Sequence, residues 1–145
     1  KLQPQLRTDL CLDESILSVV HARQAAELGS CRVINIKPAR VGGLTEALAI
    51  HEYCYEQGIP VWCGGMLESG IGRAHNLALA SLPGFTLPGD ISASDRYWEQ
   101  DVIVPPVTMS PDGFIRVPDG IGLGYEIDTD ALETYTVWMY TYTAS

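Results

Sequence analysis

The sequence predicts an α/β fold built from parallel β/α units, and three observations carry that expectation. Short apolar, β-branched runs begin about every 25 residues, each followed by a stretch of helical periodicity. Polar and glycine-rich residues gather where strands give way to helices, the end at which barrels and open α/β sheets build their sites. Helices between successive strands imply parallel pairing through right-handed crossovers. Four such units do not close a barrel, and alone they would leave two sheet edges unpaired. The expected architecture is therefore the last four units of an eight-unit TIM-type barrel, with the first half outside this chain.

The elements follow in order. A short strand is predicted over residues 10–12, closing at Asp13. Ser15 or Ser18 then caps a helix to about residue 28, with Val20, Ala25 and Leu28 on one face and Gly29 as its stop. The second strand covers 33–37, and a helix over 44–57 carries Leu44, Ala47, Leu48 and Ile50 before Gly58 ends it. A third strand over 59–63 leads into Gly64, Gly65 and Met66. A third helix over 73–82 stops at Pro83-Gly84, and a fourth strand over 85–87 runs into Pro88, Gly89 and Asp90. Residues 1–96 thus form the half-barrel. Residues 97–145 form an irregular extension, Pro-rich over 102–117, with a turn at Pro111-Asp112-Gly113 and an aromatic, threonine-rich end that no periodicity places.

Composition narrows the function classes. The apolar fraction of 46% is ample for a core in one domain. Nine basic residues face 18 acidic ones, a net charge of −9, and the basic residues form no cluster, which argues against nucleic acid and anionic membranes as partners. No apolar run approaches the roughly 18–20 residues of a membrane span, and no signal peptide is expected. Cys11, Cys31, Cys54 and Cys63 lie far apart in apolar runs, so reduced thiols are expected rather than disulfides or a zinc site. His21, His51 and His75 fall one per predicted helix, a spacing that suggests no shared ligation. A reducing cytoplasm is the expected location. The opening Lys-Leu-Gln-Pro carries no initiator methionine, which adds to the expectation of a longer protein.

The chemistry concentrates at the strand ends. Lys37 closes an apolar strand, where an ammonium is costly to desolvate. Either burial lowers its pKa until the amine can take and return protons, or the side chain reaches past the strand end into water. Asp13 closes the preceding strand 24 positions earlier (37 − 13), so both point into one mouth. Such a pair is either a structural ion pair or a hard oxygen ligand for a divalent cation beside an amine. The second arrangement suits proton abstraction next to a carboxylate: the cation holds the developing enolate charge and the amine takes the proton. Other candidates read as structure. Gly70 and Gly72 resemble half a dinucleotide fingerprint, but His75 stands where the third glycine belongs, so they open a helix. Glu68 reads as a helix-start carboxylate and Trp62 as packing, while Arg40 and Arg73 either contact a carboxylate or, as is commoner, lie solvated at the surface.

Four runs carry a resemblance. They are Cys-Leu-Asp-Glu-Ser at 11–15, Asn-Ile-Lys-Pro-Ala-Arg-Val-Gly-Gly at 35–43, Trp-Cys-Gly-Gly-Met-Leu-Glu-Ser-Gly-Ile-Gly-Arg at 62–73 and Leu-Pro-Gly-Asp-Ile-Ser-Ala-Ser-Asp at 87–95. Together, and in this order, they resemble the enolase superfamily. Within it the match is to the muconate-lactonising subgroup and its N-acylamino acid racemase / o-succinylbenzoate synthase family, over the chain to about residue 128. The resemblance implies a (β/α)7β barrel with an α+β capping domain, of which this chain would be strands five to eight and an extension returning to that domain. It implies that Asp13 is the third ligand of Mg2+ (or Mn2+ or Co2+) and that Lys37 is one of two lysines flanking the substrate α-carbon. Gly64, Gly65 and Met66 would line the substrate pocket from strand seven, and Asp90 from strand eight. Lys37 would exchange protons in racemisation but remain a stabilising cation in dehydration.

The implied substrate is a small-molecule carboxylate, and the implied partners are the missing half-barrel and further copies in a homo-oligomer. The second lysine and the other two metal ligands have no counterpart among the twelve residues before Asp13, so the chain alone is expected to be inactive. The alternative from another class is a non-catalytic α/β ligand-binding module without metal dependence.

Overall fold

A computed structural model describes residues 2–143; Ala144 and Ser145, where the predicted extension ends, lie outside the described residues. Its centre is a three-stranded parallel sheet in the order β1 (Cys11–Leu12), β2 (Val33–Ile36), β3 (Val61–Cys63). All four residues of β2 are buried, as a parallel strand covered on both faces requires. Register places Cys11 against Val33 and Leu12 against Ile34, then Ile34 against Val61, Asn35 against Trp62 and Ile36 against Cys63. Because side chains alternate along a strand, Leu12, Ile34, Ile36, Val61 and Cys63 face one way, into the helices. Cys11, Asp13, Asn35, Lys37, Trp62 and Gly64 share the opposite face, where the Trp62 indole N–H donates to Cys11 Sγ at 3.2 Å.

Three helices cover the apolar face. α1 (Val19–Glu27) is capped by Ser18, whose hydroxyl accepts from the His21 N–H at 3.4 Å, settling the choice between two candidate serines. α2 (Pro38–Val41) is a single turn directly after Lys37. α3 (Leu44–Glu56) lies where predicted, and Gly29 and Gly58 end their helices at φ of 59° and 64°, the left-handed conformation that suits glycine. Ala22, Ala47, Ile50 and Cys54 from these helices pack on Ile34, Ile36 and Val61 to form the main core.

Two predicted elements change. The third helix, α4 (Gly70–Ala80), begins three residues before the predicted Arg73 (73 − 70), because Asp101 caps its first N–H from 31 residues away. The fourth strand contracts to a single parallel bridge between Phe85 and Val61. Only three residues separate the turn at Pro83-Gly84 from Pro88, which has no N–H to donate to a ladder.

Beyond residue 97 the chain folds back over α4. β4 (Ile103–Val104) pairs antiparallel with β5 (Glu126–Ile127), and α5 (Thr129–Tyr135) is capped by the Asp128 carboxylate, which accepts from the Ala131 N–H at 2.9 Å. Leu77, Ile103 and Val107 make a second buried cluster that ties this segment to α4. The four cysteines are free, and three of them are buried. Burial pushes the Cys54 and Cys63 thiols up to about 12. No helix among the described residues is long and apolar enough to cross a membrane.

Candidate active site

Asp13 and Lys37 each follow the last residue of a parallel strand, so pairing of those strands brings them together. The backbone at Lys37 is still extended, which keeps its side chain on the Asn35 face of β2. Its ammonium donates to Asp13 Oδ2 at 2.9 Å, and the Asn35 amide donates to the same oxygen at 3.0 Å. The other carboxylate oxygen accepts from Arg40. The Lys37 side chain is 17% exposed and that of Asp13 27%, so the pair sits at the rim of the sheet rather than in free solvent.

Arg40 takes the less common of its two expected roles, contact with a carboxylate rather than solvation. Its side chain is 10% exposed and its guanidinium donates to Asp13, to the Asn35 carbonyl and, at 2.9 Å, to the Ile16 carbonyl. One turn of α2 carries it back over the strand ends. Burial pulls its pKa below the usual arginine value, against the raising effect of Asp13 and Glu14. The signal available in the sequence was its position three residues after Lys37. Asn35 is a further site residue that the strand-end pattern does not single out; its signal was a polar residue inside an otherwise apolar central strand.

The β3 end supplies space and backbone donors. A Cβ on Gly64 would lie 2.5 Å from both Lys37 Cε and Asn35 Oδ1, so only glycine lets β3 pass this close to the amine. The Gly65 N–H donates to Asp90 Oδ1 at 2.5 Å, joining two residues expected to line one pocket. Met66 is 46% exposed beside them, and its N–H donates to Glu68 Oε2 at 2.6 Å, directly before α4. Arg73 likewise contacts a carboxylate rather than solvent, fully buried against Asp101.

The donor set suits part of a divalent-cation site. Asp13 offers a hard carboxylate, and Asn35 Oδ1 is a buried acceptor with no hydrogen-bond partner, which leaves an orphaned oxygen beside it. Among the described residues no three His, Cys, Asp or Glu side chains cluster to hold a metal by themselves.

A model of the enolase C-terminal domain-like family matches residues 1–131. The chain belongs to this family. It is 60% identical over 136 residues to an o-succinylbenzoate synthase of Geobacillus stearothermophilus, covering 94% of this chain and 36% of that protein. It is 51% identical over 145 residues to an N-succinylamino acid racemase of Thermus thermophilus, covering all of this chain and 39% of the relative. Among solved structures, an enolase-superfamily member from Listeria innocua aligns with a TM-score of 0.86 at 51% identity, over 92% of this chain and 36% of that one. A dipeptide epimerase from Cytophaga hutchinsonii, solved with Mg and a dipeptide, aligns with a TM-score of 0.81 at 26% identity, over 92% and 37% of the two chains. The chain therefore spans little more than a third of the curated relatives it matches. The family shared with these proteins is an α/β barrel family, as the strand and helix alternation predicted.

Proposed function

We propose that this chain supplies strands five to eight of a (β/α)7β barrel, residues 1–96, with residues 97–145 returning to a capping domain. In this reading the whole protein removes the proton α to a carboxylate through an enediolate, in N-succinylamino acid racemisation, in o-succinylbenzoate synthesis by dehydration, or in both. The observation that carries it is the 2.9 Å contact between the Lys37 amine and the Asp13 carboxylate at adjacent strand ends, with Gly64 leaving room beside Lys37 Cε. The names of the 60% and 51% identical relatives favour these two reactions over others of the family.

Each residue then has a task. Lys37 stands on one face of the substrate α-carbon; it accepts the α-proton from one enantiomer while a lysine on the opposite face delivers a proton to form the other, and in the reverse direction Lys37 is the donor. In dehydration it stays protonated while a base on the opposite face takes the α-proton, and its charge steadies the anion. Asp13 is one oxygen donor for Mg2+, or Mn2+ or Co2+ in its place, with the remaining donors coming from outside this chain. The bound cation would supply the positive charge that makes the α-proton acidic. Arg40 and Asn35 hold the Asp13 carboxylate in place, while Gly64, Gly65, Met66 and Asp90 border the substrate. Cytoplasmic placement and a homo-oligomeric assembly complete the proposal.

The test uses the full-length protein with an N-succinylamino acid and with the precursor of o-succinylbenzoate, following chirality and product absorbance. Chelation should remove both activities and Mg2+ should restore them. Lys37→Ala should lower racemisation by about 100- to 10,000-fold, the usual contribution of a positioned acid–base group, and should lower dehydration as well through loss of the stabilising charge. Lys37→Arg should keep part of the dehydration while losing racemisation, since a guanidinium stays charged but does not release its proton. Metal-independent turnover, or a fully active Lys37→Ala, contradicts the proposal. Binding without either reaction would leave a ligand-binding α/β module instead.

A further inference from the structure

Arg73 lies in the second turn of α4, away from the Lys37–Asp13 pair, yet it is the largest fully buried side chain of the described residues. Its NH1 donates to Asp101 Oδ2 at 3.2 Å and its NH2 to the Glu68 carbonyl at 3.3 Å. The Trp98 indole N–H donates to the same carbonyl at 3.2 Å. Asp101 in turn accepts from the Gly70 N–H at 2.7 Å, the Val102 N–H at 2.8 Å and the Ser94 hydroxyl at 2.5 Å. Ser94 is locked as well, since its Oγ accepts from the Val107 N–H at 3.0 Å. A Cβ on Gly70 would lie 2.7 Å from Asp101 Oδ2, so helix start and carboxylate are in direct contact. The network is saturated except at Arg73 Nε, which is buried without a partner.

A buried arginine–carboxylate pair is a weak device for stability, because desolvation of both charges offsets their attraction. The orphaned Nε adds a further cost. What the guanidinium provides is geometry: its planar fork spans Asp101 and the Glu68 carbonyl at once, which a lysine cannot reproduce. These contacts fix the far end of the loop from Gly64 to Glu68. The near end is fixed by the Gly64 N–H, which donates to the Ile36 carbonyl at 3.1 Å, and by the Gly65 N–H on Asp90. The backbone nearest Lys37 is Gly64 itself, at the near anchor, and the far anchor at Glu68 acts on it through the three residues between them. With so little clearance at Gly64, displacement of this loop moves the lysine amine or opens space beside it.

We propose that Arg73 is a positioning residue that, through Asp101 and Ser94, seats the Gly64–Glu68 loop against Lys37 and so sets the balance between the two reactions. The inference rests on the function proposed above. Racemisation requires Lys37 to meet the α-carbon along a defined line, whereas dehydration uses only its charge, so a loosened loop harms the first reaction more. The clamp acts through the loop and touches no substrate.

The experiment compares Arg73→Lys, Asp101→Asn and the milder Ser94→Ala in full-length protein against the unaltered sequence. Two readouts are taken: amide hydrogen exchange at Gly65 and Met66, and kcat and KM for both reactions. Loop exchange should rise about tenfold while the β2 amides of Ile34 and Ile36 stay protected. The kcat for racemisation should fall by up to about 100-fold, with a smaller fall in dehydration and little change in KM. Unchanged loop exchange overturns the clamp, whatever the protein catalyses. So does a loss shared equally by both reactions and matched by the folded fraction. An unaltered protein without either reaction sinks the proposed function instead, and loop exchange still decides the clamp. If Arg73→Lys fails to fold, Ser94→Ala, which removes one hydroxyl and keeps the ion pair, decides between these outcomes.

Discussion

Gly64 and Asn35 determine how Lys37 can be held. Gly64→Ala would drive a methyl to within 2.5 Å of Lys37 Cε and Asn35 Oδ1, contacts that no rotamer at this position relieves. We expect a stability loss of about 1–3 kcal/mol, the range for overpacking a tight site, measured by denaturant unfolding. Turnover should fall more than stability does, because the displaced atom is next to the reacting amine. A Gly64→Ala protein with unaltered turnover would contradict the placement of Gly64. At this scale the sequence was partly legible. Asp13 and Lys37 could be read because a charged residue at the end of an apolar strand is expensive and has few explanations. For Arg40 and Arg73 the sequence left contact with a carboxylate beside the commoner solvated position, and did not decide between them. Arginine is normally exposed, and what buries these two is a set of acceptors at Asp13, Ile16, Glu68 and Asp101 that only the folded chain assembles.

At the scale of elements, boundaries set by local chemistry were legible and those set by distant partners were not. Gly29 and Gly58 stop their helices as expected, since the left-handed turn that ends a helix is encoded in the residue itself. The start of α4 depends on Asp101, far along the chain, so local pattern alone places it late. α5 fits the local rule, with Asp128 as its cap, although its sequence offered no clear period. Hydrogen bonds from the Ala131 N–H first, and then from the Gln100 amide, hold the Asp128 pKa below the usual carboxylate range. A lowered folded-state pKa favours the folded form above the unfolded value of about 3.9, and that preference fades as pH falls through the folded value. We therefore expect α5 to fray on acidification below about pH 4, seen as faster amide exchange at Ala131 and Leu132, with Asp128→Asn, which does not titrate, removing that pH dependence. Exchange at α5 that is flat across this range would count against the cap.

In the proposed barrel the whole chain is one side of a larger object. The sheet buries its helix-facing side, while on the other side Cys11 is exposed and Trp62 is only half-buried. Parallel sheets are normally covered on both faces. We expect a thiol reagent at neutral pH to label Cys11 in the 145-residue chain and to be blocked in the full-length barrel. Cys54 and Cys63 should stay unlabelled in both while folded, their thiols held protonated by burial with pKa values of about 12. Equal labelling of Cys11 in the two forms would mean that nothing covers this face. The repeat spacing made the parallel α/β units legible, but the period alone did not show that the last strand would shrink to one bridge, since strand length there is limited by the flanking prolines. Proton transfer at Lys37 is read most directly by α-proton exchange into solvent deuterium, followed by proton NMR on an N-succinylamino acid with full-length protein and Mg2+. A catalytic Lys37 predicts that the unaltered protein exchanges the α-proton of both enantiomers, whereas with Lys37→Ala the signal persists for the enantiomer whose α-proton faces Lys37; equal exchange of both enantiomers by both proteins would contradict that role.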